Sequence, residues 1–119
     1  FRRSSILGKG LEFDGRFGIG GTMFCAGEED IFMHNARKAG LKCIFIPKTI
    51  VQTDGATTSD SFADSPSLQA TKGATFRYIY GTANALWRTI REAGWYMVHK
   101  GRNPFPIIKN MTKGIWMLR

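Results

Sequence analysis

The chain has 119 residues and a formal net charge of +8, with 17 Lys and Arg against nine Asp and Glu. Its length suffices for one compact domain with a modest core and falls short of a typical two-domain enzyme. No apolar run approaches the roughly 18 residues of a membrane-spanning helix. Cys25 and Cys43 have no second Cys or His at ligand spacing, which argues against a zinc site and predicts two buried free thiols.

The excess positive charge belongs to the C-terminal half. Residues 1–65 contain eight basic and eight acidic side chains, whereas residues 66–119 contain nine basic residues and one acid, Glu92. The same half holds every Trp and every Tyr. This change predicts two units, the second being a basic, aromatic helical tail. Because the chain opens on Phe1 without an initiator Met or a leader, we expect it to be part of a longer protein.

In chain order, the first predicted element is a weak strand in the N-terminal segment FRRSSIL. The segment GKGLEFDGRFGIGG follows, and its six glycines in fourteen residues predict a loop. Residues 28–39 predict a helix, since acids occupy the first turn, basic residues the last turn, and Gly40 follows as a stop.

Two short β-rich runs come next, at residues 43–46 and 49–51, with Pro47 ending the first. The succession of loop, helix and strand predicts an α/β fold class. The polar residues 52–65 predict a mobile loop that orders over a bound substrate.

The tail predicts two helical stretches. Ser65-Pro66 is a cap followed by a first-turn proline, and glycines at 73, 81 and 94 are expected to segment the helix that follows. Its apolar positions with helical spacing are Ile79, Ala83, Leu86, Trp87 and Ile90. A last helix over residues 106–118 sets Ile107, Ile108, Met111, Ile115 and Leu118 against Lys109 and Lys113.

The three acids Glu28, Glu29 and Asp30 have two interpretations. First-turn acids stabilise a helix by roughly 0.3–1 kcal/mol each without any other function. Alternatively they carry chemistry: helical spacing places Glu28 and Glu29 at the two edges of the buried face, beneath the glycine-rich loop, and Asp30 toward solvent. A carboxylate near a core is costly unless it has a partner or a task.

Several short motifs agree in spacing with one enzyme family. They are Phe13-Asp14, Phe17-Gly18, Gly27-Glu28-Glu29, Phe32, Ala39-Gly40-Leu41-Lys42 and Pro47. With these motifs the chain resembles, over about residues 1–51, the C-terminal half of the catalytic domain of family 2 glycosyltransferases of bacterial type. The resemblance implies an α/β fragment of the GT-A (nucleotide-diphospho-sugar transferase) fold with a C-terminal α-helical extension. Residues 1–65 would then be the acceptor-side part of the catalytic domain.

The activity implied by the resemblance is transfer of a sugar from a nucleotide-diphospho-sugar to an acceptor hydroxyl with inversion. Glu29, the second acid of the motif, would be the general base that takes the proton of that hydroxyl. Substrate-binding roles would fall to Glu28, Asp30, Gly18, Gly20, Gly21 and Thr22.

The resemblance also implies a divalent metal, Mg or Mn, with ligands mostly outside this chain. The nucleotide-binding half and its Asp-x-Asp motif are not in the sequence, so the chain alone is expected to be inactive. Many relatives carry a His shortly after the strand-ending proline, where this chain has Gln52-Thr53-Asp54, and Asp54 would have to substitute.

The implied partners are a nucleotide sugar and a glycan or lipid-linked acceptor, in the cytoplasm or at the inner face of the membrane, and no nucleic acid. The alternative is a non-catalytic binding module that docks on an anionic membrane or on nucleic acid through its basic helical tail. In that interpretation the acids are purely structural. For the last helix, the sequence leaves open whether its apolar side lies on a membrane or packs on the core.

Overall fold

The computed structural model describes residues 3–44, 46–49, 51–52, 55 and 58–118. The described elements are four α-helices and a 3-10 helix: α1 (Arg3–Leu7), α2 (Glu28–Lys38), the 3-10 helix (Thr58–Asp64), α3 (Pro66–Lys100) and α4 (Pro104–Met117). In this described part no helix is both long and apolar enough to cross a bilayer.

The predicted α/β fold class is wrong. Across the described residues the chain is helical and forms no strand or sheet, so it is not a fragment of a GT-A fold. The expected strand around Ile44 and Ile46 is an irregular segment whose two isoleucines are 69% and 70% exposed. A strand is stabilised by a hydrogen-bonded neighbour, and the described residues supply none here. The N-terminal strand is also wrong, because residues 3–7 form α1.

Helix α2 confirms the prediction from its end signals. It begins at Glu28, directly after Gly27, whose φ of 89° lies in the left-handed region. Its first turn holds the three acids and its last turn holds Arg37 and Lys38, which suits the helix dipole at both ends. Gly40, with φ of 81°, follows as the expected stop.

Helix α3 is a hairpin of two arms. Gly81 interrupts it with φ of 78° and ψ of 168°, which are not helical values. Across the interruption Lys72 forms an ion pair with Glu92. In an unbroken helix these residues would lie about 30 Å apart at 1.5 Å per residue. The first arm (residues 66–80) and the second arm (residues 82–100) therefore fold back on each other.

Helix α4 packs on the first arm at the distance of main-chain contact. A Cβ atom added at Gly73 would collide with the carbonyl group of Met111, and one added at Gly114 with that of Ala70. The predicted apolar face of α4 is the face that packs, with Ile107, Met111, Ile115 and Leu118 buried while Lys109 and Lys113 are exposed. That face is covered by the rest of the chain.

Small side chains fill the packed face of the second arm. Ala85, Thr89 and Ala93 are buried, whereas Trp87 and Ile90, which the apolar spacing singled out, are 64% and 56% exposed. Ala93 packs with the larger Ile107 and Met111 of α4, while Trp87 and Ile90 of the second arm lie outside this packed face.

Two further expectations are corrected. Residues 58–64 of the predicted mobile loop form the 3-10 helix, and Phe62 within it is only 6% exposed. Phe62 packs with Ala93, Ile107 and Met111, so this part of the loop belongs to the core. The two cysteines are exposed free thiols, not buried ones.

A second core cluster joins the N-terminal half to the helical tail. It contains Phe17, Phe24 and Ile31 from the first half and Ala74 and Leu118 from the second. The Asn35 amide of α2 also donates to the Tyr78 hydroxyl of α3 at 3.1 Å. These contacts fix α2 and the glycine-rich loop against the hairpin, while the predicted boundary near Pro66 stays a prediction.

Candidate functional site

The glycine-rich loop before α2 is closed by its own backbone. Thr22 N–H donates to the Gly15 carbonyl at 3.1 Å, and Phe24 N–H donates to the Arg16 carbonyl at 2.8 Å. Phe17 and Phe24 stack with ring centroids 4.7 Å apart and are buried beneath it. The loop is therefore anchored at both ends, and its tip, residues 18–22, lies beside the start of α2.

Gly21 shows why glycine is needed in this loop. A Cβ atom there would lie 2.7 Å from the Phe17 carbonyl carbon and 2.8 Å from the Phe24 carbonyl oxygen. The two backbone segments of the loop that contain Phe17 and Phe24 lie too close to Gly21 to leave room for a side chain there. Gly21 is thus a packing requirement of the loop.

An ion pair that the sequence analysis missed holds the loop entrance. The Arg16 guanidinium donates to Asp14 Oδ2 at 2.7 Å and to Oδ1 at 3.0 Å, and its carbon lies 5.9 Å from the Tyr78 ring centroid. Hydrogen bonding from Arg16 is the main cause that lowers the pKa of Asp14, and the same bond raises the pKa of Arg16. The sequence Asp14-Gly15-Arg16 places an acid two residues before a base, and this spacing could have indicated the ion pair.

The lowered pKa of Asp14 predicts a pH-dependent contribution to stability. Its folded pKa lies below the unfolded value of about 3.9, so the contribution is present above that pH and is lost as the pH falls through the folded pKa. We expect Asp14→Asn to lower the free energy of unfolding at neutral pH by about 0.5–1 kcal/mol, since solvent screens the partly exposed Arg16.

Urea denaturation of both proteins at neutral and at strongly acidic pH measures this difference, which should disappear in acid. Asp64→Asn is the control, because the Asp64–Arg102 pair is exposed on both sides and should contribute less. A wild-type advantage that persists unchanged in acid would contradict the role of Asp14.

The carboxylate of Glu28 lies against the glycine-rich loop. A Cβ atom at Gly18 would be 2.8 Å from Glu28 Cδ and 2.9 Å from Oε1, so a side chain at position 18 would have to displace the Glu28 carboxylate. Glu28 Oε2 is buried and accepts no hydrogen bond from the described residues. Gly18 and Glu28 are thus brought together as the sequence predicts.

Glu29 and Asp30 are both exposed. Helical spacing predicted Glu29 at the edge of the core, and this is wrong because Ile31 is fully buried and turns the packed face of α2 toward Glu28. Glu29 therefore projects from the first turn beside the half-buried Glu28. The Glu28 carboxylate therefore lies against the loop, and the Glu29 carboxylate is accessible to solvent.

The remaining predicted substrate-binding residues share the loop with Gly18. Gly18 is buried, Gly21 half-buried, and Gly20 and Thr22 are exposed. In the part of the chain that the structure describes, none of these residues hydrogen-bonds to Glu29. Asp54 lies outside the described residues.

Asp30 faces a cavity of about 330 Å³ that the sequence analysis did not predict. Its lining includes Thr75 and Phe76 of the first arm and Lys72, which is paired with Glu92. This cavity joins the start of α2 to the hairpin. Its residues come from distant parts of the chain, so no local sequence pattern could reveal it.

No group of three or more His, Cys, Asp or Glu side chains within the described ranges is arranged to hold a metal ion. The divalent metal that the resemblance implies therefore has no fitting ligand set there.

The contact between Gly18 and Glu28 predicts that alanine destabilises the fold more at position 18 than at position 20. Gly18 and Gly20 have φ of 100° and 84°, so alanine is strained at both positions, but only Gly18 faces a neighbouring group. We expect Gly18→Ala to lower the free energy of unfolding by about 0.5–1 kcal/mol more than Gly20→Ala, because the new methyl group has to displace the flexible carboxylate end of Glu28. Chemical denaturation of the two variants measures this difference, and equal losses would contradict the placement of Glu28.

Comparison with models of known protein families, with curated proteins and with solved structures finds no match for this chain.

Proposed function

We propose that this chain supplies the acceptor-side carboxylates of an inverting glycosyltransferase that uses a nucleotide-diphospho-sugar. One observation carries the proposal: two acids adjacent in sequence at the start of α2 have different surroundings. Glu28 is held against Gly18, and Glu29 is exposed beside it. The proposal rests on the motifs and on this local geometry, since the sheet that the resemblance implies is absent from the described residues.

Other residues of the motif also contact one another. Phe13 stacks on Phe32 of α2 with ring centroids 4.4 Å apart. Phe17 packs in the core beneath the loop. The aromatic positions of the motif thus have a structural task, which is to orient the loop and the first turn of α2 relative to each other.

The proposed chemistry assigns a separate role to each acid. The acceptor oxygen attacks the anomeric carbon while the bond to the nucleoside diphosphate breaks on the opposite side. Glu29 accepts the proton of the acceptor hydroxyl as the new bond forms. The positive end of the α2 dipole favours a carboxylate at this position.

Glu28 would bind the acceptor. A buried acceptor atom without a hydrogen bond costs about 1–3 kcal/mol, and Glu28 Oε2 is such an atom. A hydroxyl group of the acceptor would supply the missing donor once the tip of the glycine-rich loop moves aside. Gly20 and Thr22, exposed at that tip, would then border the bound sugar.

The donor would bind to a nucleotide-binding part outside this sequence, and the reaction would take place in the cytoplasm or at the inner face of the membrane. The test compares a longer protein containing this chain with the 119-residue chain alone. Each is incubated with uridine-, guanosine- and thymidine-diphosphate sugars and with glycan or lipid-linked acceptors. We expect the longer protein, but not the 119-residue chain, to release nucleoside diphosphate from the donor when acceptor is added. No release with any donor and acceptor would contradict the proposal.

A further inference from the structure

The second arm of α3 carries a row of exposed apolar side chains. Trp87, Ile90, Met97 and Val98 are 64%, 56%, 50% and 73% exposed. At about 100° per residue they fall within a sector of about 100° on one side of the arm. We call these four residues the outer stripe.

The opposite side of the same arm is fully used in packing. Ala85, Thr89 and Ala93 are at most 1% exposed and face the rest of the hairpin and α4. The inner side of the arm therefore carries small residues, and the outer side carries large apolar residues. Trp87 and Ile90 lie about one turn apart, Met97 and Val98 lie about two turns further along the arm, and Gly94 lies between the two pairs. Several large exposed apolar side chains on one side of a helix are typical of an interaction surface.

Positive charge borders the outer stripe. By helical spacing, the exposed Arg91 lies at the edge of the sector and Arg88 lies further round the arm. The nearby acid, Glu92, is on the packed side and is paired with Lys72. Residues 66–119 contain nine basic residues and this single acid, so the helical tail that carries the stripe has a net positive charge.

The apolar side chains of the stripe and the positive charge of the tail favour one class of binding partner over the others. A second copy would bring two tails of net positive charge together, which opposes association at low salt. Trp87 and Arg91 offer nucleic acid one stacking ring and one phosphate-binding side chain, but Ile90, Met97 and Val98, which are three of the four residues of the stripe, offer neither. An anionic lipid bilayer suits both features, because apolar side chains enter the acyl boundary while Arg meets the headgroups. Trp also prefers this interface.

We propose that the outer stripe docks the chain on an anionic membrane surface, with the second arm of α3 lying in the plane of the interface. The surface is separate from the apolar face of α4, which is buried. The proposal concerns binding alone and does not depend on the proposed glycosyl transfer.

Vesicle co-sedimentation of the 119-residue chain tests the proposal. Wild type is mixed with vesicles of phosphatidylcholine, or of phosphatidylcholine with phosphatidylserine, at low and high salt. We expect binding to the anionic vesicles at low salt, weaker binding at high salt, and little binding to the neutral vesicles. Trp87→Ser combined with Ile90→Ser should lower the partition coefficient for anionic vesicles at least about tenfold, since two apolar anchors are lost.

Two further variants make the result specific. Ile19→Ser removes an apolar side chain that is 99% exposed outside the stripe, and it should bind like wild type. Arg91→Glu keeps the stripe and should weaken binding to anionic vesicles. Circular dichroism should show unchanged helix content for every variant, because all the replaced side chains are exposed.

Three outcomes would overturn the proposal. They are the absence of binding to anionic vesicles at low salt, equal binding by the stripe variant and wild type, and a dimer in sedimentation velocity that the stripe substitutions abolish. The last would assign the stripe to a second copy of the chain.

Discussion

In a longer protein that contains this chain, Glu29→Gln is expected to lower acceptor-dependent turnover about a hundredfold or more, as the loss of a general base does. Glutamine keeps the size and exposure of the side chain but cannot take the proton of the acceptor hydroxyl. Donor binding should be unchanged, because Glu29 is assigned to the acceptor side. Steady-state release of nucleoside diphosphate at saturating donor measures this effect.

The neighbouring acids provide the matched controls. Asp30→Asn should reduce turnover far less, because Asp30 lies one residue further round α2 and faces the cavity beside Thr75. Glu28→Gln should mainly raise the KM for the acceptor, since Glu28 is proposed to bind it. Equal losses of turnover at Glu29 and Asp30 would contradict the assignment of the base.

The second large effect is expected at the contact between α4 and the first arm of α3. Gly114→Ala should lower the free energy of unfolding by about 3 kcal/mol, because its methyl group would collide with the Ala70 carbonyl and force the helices apart. Such a loss is a large share of the roughly 5–15 kcal/mol that stabilises most domains. Gly73→Ala should act similarly through its collision with Met111. Urea denaturation followed by circular dichroism measures both.

Gly94→Ala is the control for this prediction. Gly94 also lies within α3, and a Cβ atom there meets nothing within 4 Å. Alanine should therefore raise the free energy of unfolding by up to about 1 kcal/mol through its higher helix propensity. A gain in stability for Gly114→Ala as well would show that α4 does not pack as closely as described.

Local end signals predicted the starts of α2 and α3 correctly, although the residues of α1 and of the 3-10 helix were assigned to a strand and a loop. The Ser65 hydroxyl caps α3 by accepting from Leu68 N–H at 3.3 Å, and Pro66 opens the helix as the sequence indicates. The start of α2 was also correct. These signals act within one turn of helix, so the sequence contains them completely.

Tertiary features were harder to predict. Three glycines were expected to segment α3, yet only Gly81 does so, while Gly73 and Gly94 stay helical. Which glycine turns the chain depends on the packing of the arms, which no local pattern describes. The predicted strands failed for the same reason, since pairing depends on a distant segment.

The candidate site was predicted in part. Helical spacing correctly placed Glu28 beneath the glycine-rich loop, where it lies against Gly18, but it misplaced Glu29 at the edge of the core. The cause is Ile31, whose complete burial rotates the packed face of α2. The cavity next to Asp30 depends on contacts between residues far apart in sequence and was not foreseen.

The anomeric configuration of the product shows directly whether a protein containing this chain transfers a sugar with inversion. A longer protein containing this chain is given a nucleotide sugar and an acceptor, and proton NMR records the transferred sugar as it forms. We expect wild type to form a product with the anomeric configuration opposite to that of the donor, and Glu29→Gln to form the same product at a greatly reduced rate. A product that retains the donor configuration, or an unchanged rate in the variant, would contradict the proposed glycosyl transfer.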